Sequence, residues 1–152
     1  MIRTVSSKAV RPLRQKVLRP GKEYLTTIFP GDDEESSFHL AAYQEDVIVG
    51  CISFYSQDIE GWNSETPGFR FRGMAVEPSL QRQGLGKRLL LAGIQRTNEL
   101  QGGYVWCNAR SSARRFYEKF GMGVLGNEFE ISEVGPHFLM VLHLKVSGPS
   151  EE

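Results

Sequence analysis

Charge of one sign is missing from this sequence. Eighteen lysines and arginines face eighteen aspartates and glutamates, so the formal charge at pH 7 is zero. A net basic surface, the usual requirement for nucleic acid or an anionic membrane, is thereby excluded as an expectation. Cysteine is scarce, with two residues only. Cys51 and Cys107 lie in apolar, strand-like runs, which fits buried, reduced thiols in a cytosolic protein rather than a disulfide framework. No C-x-x-C occurs, and His39, His137 and His143 stand apart from one another, so no metal-ligand spacing is present. No apolar run approaches the length of about eighteen residues that reads as a membrane span, and no secretory leader is recognisable. The expectation is a soluble, cytoplasmic protein that binds neither metal, nucleic acid nor membrane.

What is present suits one compact α/β domain over residues 1–152, with 40% hydrophobic and 24% charged residues. Two local charge clusters, Arg11, Arg14, Lys16 and Arg19 against Asp32, Asp33, Glu34 and Glu35, read as solvated surface. Residues 5–19 carry Val10, Leu13 and Val17 at helical spacing, with Pro12 tolerable only if the helix starts near it. A loop over 21–36 contains Pro30-Gly31. "SFHLAAYQ" and "VIVGCISFY", separated by Glu45-Asp46, form a hairpin pattern. A polar loop over 57–68 precedes "FRFRGMAV", a strand closed by Pro78. A helix then runs to Gly102-Gly103, followed by the short strand "YVWCN" and a helix over 111–121 with Ala113, Phe116, Tyr117 and Phe120 on its apolar face. Two strands, about 123–131 and 137–145, flank Gly135-Pro136. The order α-β-β-β-α-β-α-β-β implies a mixed sheet.

The stretch "LQRQGLGKRLL" sets glycines directly against a strong helix former. Strand, glycine turn and helix together make an anion site, because the first helical N–H groups lack partners and the macrodipole adds positive potential. A Walker loop is excluded: its first glycine falls on Gln81 and its hydroxyl residue on Arg88. A dinucleotide fingerprint fails at Leu89. Gln81-Arg82-Gln83-Gly84-Leu85-Gly86 does fit Q/R-x-x-G-x-G/A, and here the chain resembles the GNAT superfamily of N-acetyltransferases. "RGMAVEPSLQRQGLGKRLL" is similar to that family's fourth strand, pyrophosphate loop and following helix. "NARSSARRFYEKFGM" is similar to its next strand end and helix, with A-x-x-F-Y-x-x-x-G-F/M. "GPHFLM" resembles the P-H-x-x-M tail of ElaA-type members. The likeness covers about residues 10–145.

The resemblance implies the GNAT fold: a mixed, mostly antiparallel central sheet, splayed between strands 4 and 5 and flanked by helices. It implies acetyl-coenzyme A as cosubstrate, a primary amine in a small molecule or peptide as acceptor, direct transfer in a ternary complex, and a monomer or homodimer. Main-chain groups of Met74, Ala75 and Val76, beside a bulge, would pair with the pantetheine amides. Gln81 would open the cofactor-binding loop, and Arg82, Gln83, Gly84, Leu85, Gly86 and Lys87 would hold the pyrophosphate through backbone N–H groups, with charge from Lys87 or Arg88. Asn108 would hydrogen-bond the pantetheine arm. Tyr117 matches the tyrosine that protonates the leaving thiolate, a role that needs its hydroxyl and that Phe116 lacks.

The general base is not nominated. Histone-acetylating members carry an acidic residue on the fourth strand, but Phe69-Arg70-Phe71-Arg72 contains no carboxylate. Glu77 reads as surface and His137 as structural or bordering the acceptor. Arg70 and Arg72 read equally as exposed strand charges or as attractors of an acidic acceptor. The other class of function the residues allow is a non-catalytic module that binds or senses acetyl-CoA.

Overall fold

The computed structural model describes residues 1–62 and 64–144, which hold seven strands and three α-helices. In chain order these are β1 (Ile2–Val5), α1 (Ser7–Leu18), β2 (Phe38–Gln44), β3 (Val47–Ser56), β4 (Gly68–Val76), α2 (Leu85–Glu99), β5 (Tyr104–Arg110), α3 (Arg114–Glu118), β6 (Gly123–Ile131) and β7 (Gly135–His143). The strands form one sheet in the order β1-β2-β3-β4-β5-β7-β6. β4 and β5 pair in parallel, whereas β1–β2, β2–β3, β5–β7 and β6–β7 pair antiparallel. The expected mixed, mostly antiparallel sheet with helices is therefore present. The parallel register covers Gly68↔Tyr104, Phe69↔Val105 and Arg70↔Trp106, the first three residues of each strand.

Two compact units divide the chain. One comprises residues 1–56 and 71–96, the other 57–70 and 97–152. In the first, the β2–β3 hairpin turns at Glu45-Asp46 as its sequence predicts, with Glu45 in the left-handed region at φ 58°. Val10 and Leu13 of α1 pack with Cys51 and Ala75, and Val5, Val17, Leu18 and Ile48 close over them. Phe54 stacks on Phe38 at 4.9 Å and leans on Phe71 at 5.6 Å. Leu89 and Leu90 of α2 are fully buried, each a contribution of about 2 kcal/mol by apolar area.

In the second unit Ile59, Tyr104, Trp106 and Val141 form the core, with Trp62 against Tyr104 at 4.7 Å between ring centroids. The polar loop before β4 is tied down by its backbone. Trp106 Nε1 donates to the Gln57 carbonyl at 2.8 Å, and the Ile59 N–H donates to the Tyr104 hydroxyl at 3.1 Å.

Several elements differ from their sequence reading. The four-residue β1 is too short to show a period, so its residues look like a lead-in to α1 rather than a strand pairing with β2. Pro12 lies inside α1, exposed, and the helix continues through it because tertiary packing of Val10 and Leu13 outweighs the lost hydrogen bond. The helix expected over 111–121 shortens to a 3₁₀ turn at Ser111–Ala113 and five α-helical residues. Phe116, expected on its buried face, is 38% exposed. Gly135-Pro136 opens β7 rather than separating two strands. The strand end expected at Lys145 lies outside the described residues.

The expected solvated charge clusters are the largest correction. Lys16, Asp33, Glu34 and Glu35 are exposed, but Arg11, Arg14 and Asp32 are buried. Arg14 sits four residues after Val10 and three before Val17, within the apolar stripe of α1, and an internal carboxylate meets it there.

Candidate functional site

The loop before α2 is built from backbone. Arg82 and Gly84 both adopt positive φ, 65° and 82°, and an arginine in that region carries a strain of about 1 kcal/mol that glycine avoids. The turn brings the chain into the mouth of α2, where Arg88 N–H makes the first helical bond to the Gly84 carbonyl at 3.1 Å. Among the described residues no backbone acceptor pairs with the N–H groups of Arg82, Gln83, Gly84, Leu85, Gly86 or Lys87. Gln81 Nε2 donates to the Val76 carbonyl at 3.1 Å, which ties the loop to the end of β4. A Cβ added at Gly86 would stand 3.1 Å from Met74 Sδ, whereas one at Gly84 would meet nothing within 4 Å. The first turn of α2 holds no carboxylate, and Lys87 and Arg88 are exposed. The arrangement is an unanswered row of N–H donors at a helix mouth with cationic side chains beside it.

β4 leads into that loop. Gly73 has φ 70°, the left-handed conformation of the glycine in a G1 bulge. A side chain there would press on Phe29 Cε2 at 3.0 Å and on Arg14 Nε at 3.4 Å. Met74 and Val76 are half-buried and Ala75 is buried. Glu77, next along, pairs with Lys16 across the exposed end of α1.

Tyr117, in the other unit, is half-buried in α3. Burial, with Cys107 nearby, pushes its phenol well above the usual tyrosine range. It is therefore neutral at physiological pH. Burial also pushes the Cys107 thiol up to about 12, against a smaller opposing pull from Arg70. Asn108 follows Cys107 on β5, opposite Leu139 of β7. Alternation along the strand turns it away from the face that Cys107 presents. His137 is 4% exposed, joined to the Gly135 carbonyl at 2.7 Å through Nδ1 and stacked on Phe129, which is a structural setting.

The profile of the acetyltransferase (GNAT) domain matches residues 2–143. The chain belongs to the GNAT acetyltransferase family. Among curated relatives, the uncharacterised N-acetyltransferase YitI of Bacillus subtilis is 30% identical over 146 residues, 96% of this chain and 97% of YitI. The crystal structure of Escherichia coli ElaA superposes with a TM-score of 0.76 at 16% identity, covering 93% of this GNAT chain and 97% of ElaA. An aminoglycoside 6'-N-acetyltransferase solved with coenzyme A superposes at a TM-score of 0.68 and 14% identity, covering 94% and 96% of the two chains.

The arginine-rich region of the first unit is not legible in the sequence as a buried set. Asp32 is 5% exposed and Arg14 fully buried, joined by a two-pronged ion pair of 2.7 and 3.0 Å. Arg14 also donates to the Thr27 carbonyl, Ser53 Oγ and the Tyr55 hydroxyl, and Tyr55 donates to Asp32 Oδ1 at 2.6 Å. His39 bridges Ser53 Oγ and the Asp32 carbonyl. Burial lowers its basicity, so it is neutral, with Nε2–H donating to the carbonyl and Nδ1 accepting from Ser53. Phe29-Pro30-Gly31-Asp32 is the turn that aims Asp32 inward. The Asp32 N–H closes onto the Phe29 carbonyl, Gly31 has φ 87°, and Pro30 occupies the preceding position, a type II pattern.

The same turn lays Phe29 under three guanidinium groups, Arg14 at 4.0 Å, Arg72 at 4.2 Å and Arg19 at 5.5 Å from the ring centroid. Arg70 likewise covers Trp106 at 5.3 Å. These strand arginines are half-buried and stacked, not free surface charges. Two sequence signals point towards the set: Pro30-Gly31 followed by an acid, and an arginine within an apolar helical stripe.

Proposed function

We propose that this GNAT chain, as one catalytic domain, transfers an acetyl group from acetyl-coenzyme A to a primary amine directly, in a ternary complex. The row of unanswered N–H groups from Arg82 to Lys87 carries this reading. A pyrophosphate is the ligand such a row suits: fixed donors, a helix dipole and no side chain at Gly84 or Gly86 to hold it off. The coenzyme A in the aminoglycoside acetyltransferase of the same fold supports the choice. At Gly86 an added Cβ would stand 3.1 Å from Met74 Sδ, so the glycine lets the first turn of α2 lie close against the end of β4.

Bound there, acetyl-CoA supplies a thioester whose C–S bond breaks as the amine nitrogen bonds the acetyl carbon. The chain's residues do the rest. Main-chain groups of Met74–Val76 offer the pantetheine arm a strand edge, and Asn108 offers an amide. Tyr117 gives its proton to the departing sulfur. The amine must arrive neutral, and its proton leaves through water, since β4 holds no carboxylate before Gly73. Direct transfer is favoured over an acetylated enzyme because the Cys107 thiol stays protonated at neutral pH.

The test is thermal stabilisation by acetyl-CoA or CoA and its absence with ATP or NAD, followed by thiol release across a panel of amines. Stabilisation without thiol release would instead support a sensing module. Tyr117→Phe is expected to lower kcat roughly 100-fold with the KM for acetyl-CoA unchanged. Full turnover by that variant at every pH would remove Tyr117 from the mechanism.

A further inference from the structure

One residue inside β4 is left-handed. Gly73 has φ 70°, and glycine takes either sign of φ with nearly equal ease. Its own chemistry does not choose the left-handed form; its neighbours do. Two side chains of the same unit are in place to choose it, and both are buried: Phe29 is 5% exposed and Cys51 0%. A Cβ built on Gly73 would stand 3.0 Å from Phe29 Cε2 and 3.7 Å from Cδ2, so the ring covers the side that a side chain would fill. Cys51 Sγ donates to the Gly73 carbonyl at 3.6 Å and accepts from the Ala75 N–H. The thiol thus brackets Met74 along the strand. The ring is itself fixed. Its residue's N–H donates to Asp32 Oδ2 at 3.0 Å, and its carbonyl accepts from the Asp32 N–H at 3.1 Å. Arg14, held by the same carboxylate, lies over the ring at 4.0 Å. The closed polar set around Asp32 therefore ends on Gly73.

What Gly73 sets is the direction of the main chain beyond it. The Ala75 N–H is turned to Cys51, and the Glu77 N–H donates to the Val49 carbonyl at 2.8 Å, both partners lying on β3. N–H and C=O groups alternate between the two sides of a strand, so Met74 and Val76 present theirs away from β3. We infer that Phe29 and Cys51 position the donor: ring and thiol hold Gly73 left-handed and so aim the Met74 and Val76 main-chain groups at the pantetheine arm. Both are positioning residues, buried behind the edge they set. The inference rests on the acetyl-transfer reading above and deepens it by naming what shapes the donor's edge.

The experiment titrates two probes calorimetrically into the whole protein. One is acetyl-CoA. The other is the nucleotide half of coenzyme A, an adenosine diphosphate that carries the ribose phosphate but no pantetheine arm. Phe29→Leu keeps an apolar side chain in place and loses the ring. It should weaken acetyl-CoA roughly tenfold and leave the nucleotide half within about twofold, because only the arm uses the edge beyond Gly73. Cys51→Ala, which removes both of the thiol's hydrogen bonds, should act in the same direction, and Cys51→Ser should fall between. Phe38→Leu is the control: it disturbs the Phe38–Phe54 stack in the same unit and should leave both affinities unchanged.

Amide hydrogen exchange gives a readout that needs no ligand. The Ala75 amide should exchange at least about tenfold faster in Phe29→Leu and Cys51→Ala than in Phe38→Leu at matched stability. Variants at Phe29 and Cys51 that keep full affinity for acetyl-CoA, or that lose both probes equally, would overturn the inference and leave acetyl transfer intact. Unchanged Ala75 exchange would overturn it as well. A wild-type protein that binds neither probe would remove the donor reading and this inference together.

Discussion

Two polar regions of the first unit treat their hydrogen-bonding groups in opposite ways. Around Asp32 the chain answers its own charges, Arg14 Nε excepted: carboxylate, guanidinium, hydroxyls and imidazole form one connected set away from water. At residues 82–87 the chain leaves a run of N–H groups without backbone acceptors and accepts positive φ at Arg82. The first arrangement stabilises the fold only while complete, since a buried ion without its partner is costly. The second costs some stability in order to remain open. Arg19 stands between the two kinds, held by packing with no acid among the described residues at ion-pair distance. A polar group is of use to a ligand to the extent that the protein has not already satisfied it.

Removing the centre of the closed region should break this contrast most visibly. Asp32→Ala leaves Arg14 buried with no anion and strips Tyr55 and the Phe29 N–H of their acceptor. A loss of about 3–5 kcal/mol is expected, or a fall in Tm of roughly 10 °C or more. Thermal and urea unfolding measure it directly. A loss below about 1 kcal/mol would mean that water enters freely and the set is not closed.

Acid provides the next largest effect. Burial alone would raise the Asp32 carboxyl, but hydrogen bonds from Arg14, Tyr55 and the Phe29 N–H outweigh it and hold the group at about 2, below its ordinary 3.8. A depressed carboxylate stabilises the fold fully above its unfolded value. That contribution, about 2 kcal/mol, is lost as pH falls from about 4 towards 2. Urea midpoints of the wild type and Asp32→Asn should therefore converge over that interval and run parallel above it. Curves that stay equally separated down to pH 2 would place the stabilisation elsewhere.

The same contrast explains what the sequence alone makes readable. The open loop is legible because its geometry is local. Glycine beside helix formers, after a β-rich run closed by proline, writes a strand–turn–helix into a dozen consecutive residues. The closed set joins Arg14 to Asp32, Ser53 and Tyr55, partners far apart in the chain, and composition alone sends charged residues to the surface. β1 escapes notice because four residues show no period, and α3 looks longer than it is because its apolar spacing continues beyond the hydrogen-bonded turns. Asn108 is identifiable as a residue, but its place opposite Leu139 of β7 follows from β5 register, which no spacing motif contains.

A smaller change sharpens the comparison inside the open loop itself. Gly84 and Gly86 look equivalent in the sequence, yet only Gly84 is left-handed, at φ 82°, and a Cβ there would meet nothing within 4 Å. Gly84→Ala should thus cost about 1 kcal/mol through backbone strain alone. Gly86 has a helical backbone, and an alanine there gains helix propensity while pressing only on the flexible Met74 thioether at 3.1 Å. Its net effect on stability should lie within about 0.5 kcal/mol of zero. Its effect on the donor should be larger, because the new methyl presses on Met74 and touches Val76, residues whose main chain is the edge assigned to the pantetheine arm. Urea unfolding together with acetyl-CoA titration separates the two: Gly84→Ala is expected to move the unfolding midpoint, and Gly86→Ala the donor affinity. If Gly86→Ala binds acetyl-CoA as tightly as the wild type, that glycine serves helix packing, and the donor row begins closer to Arg82.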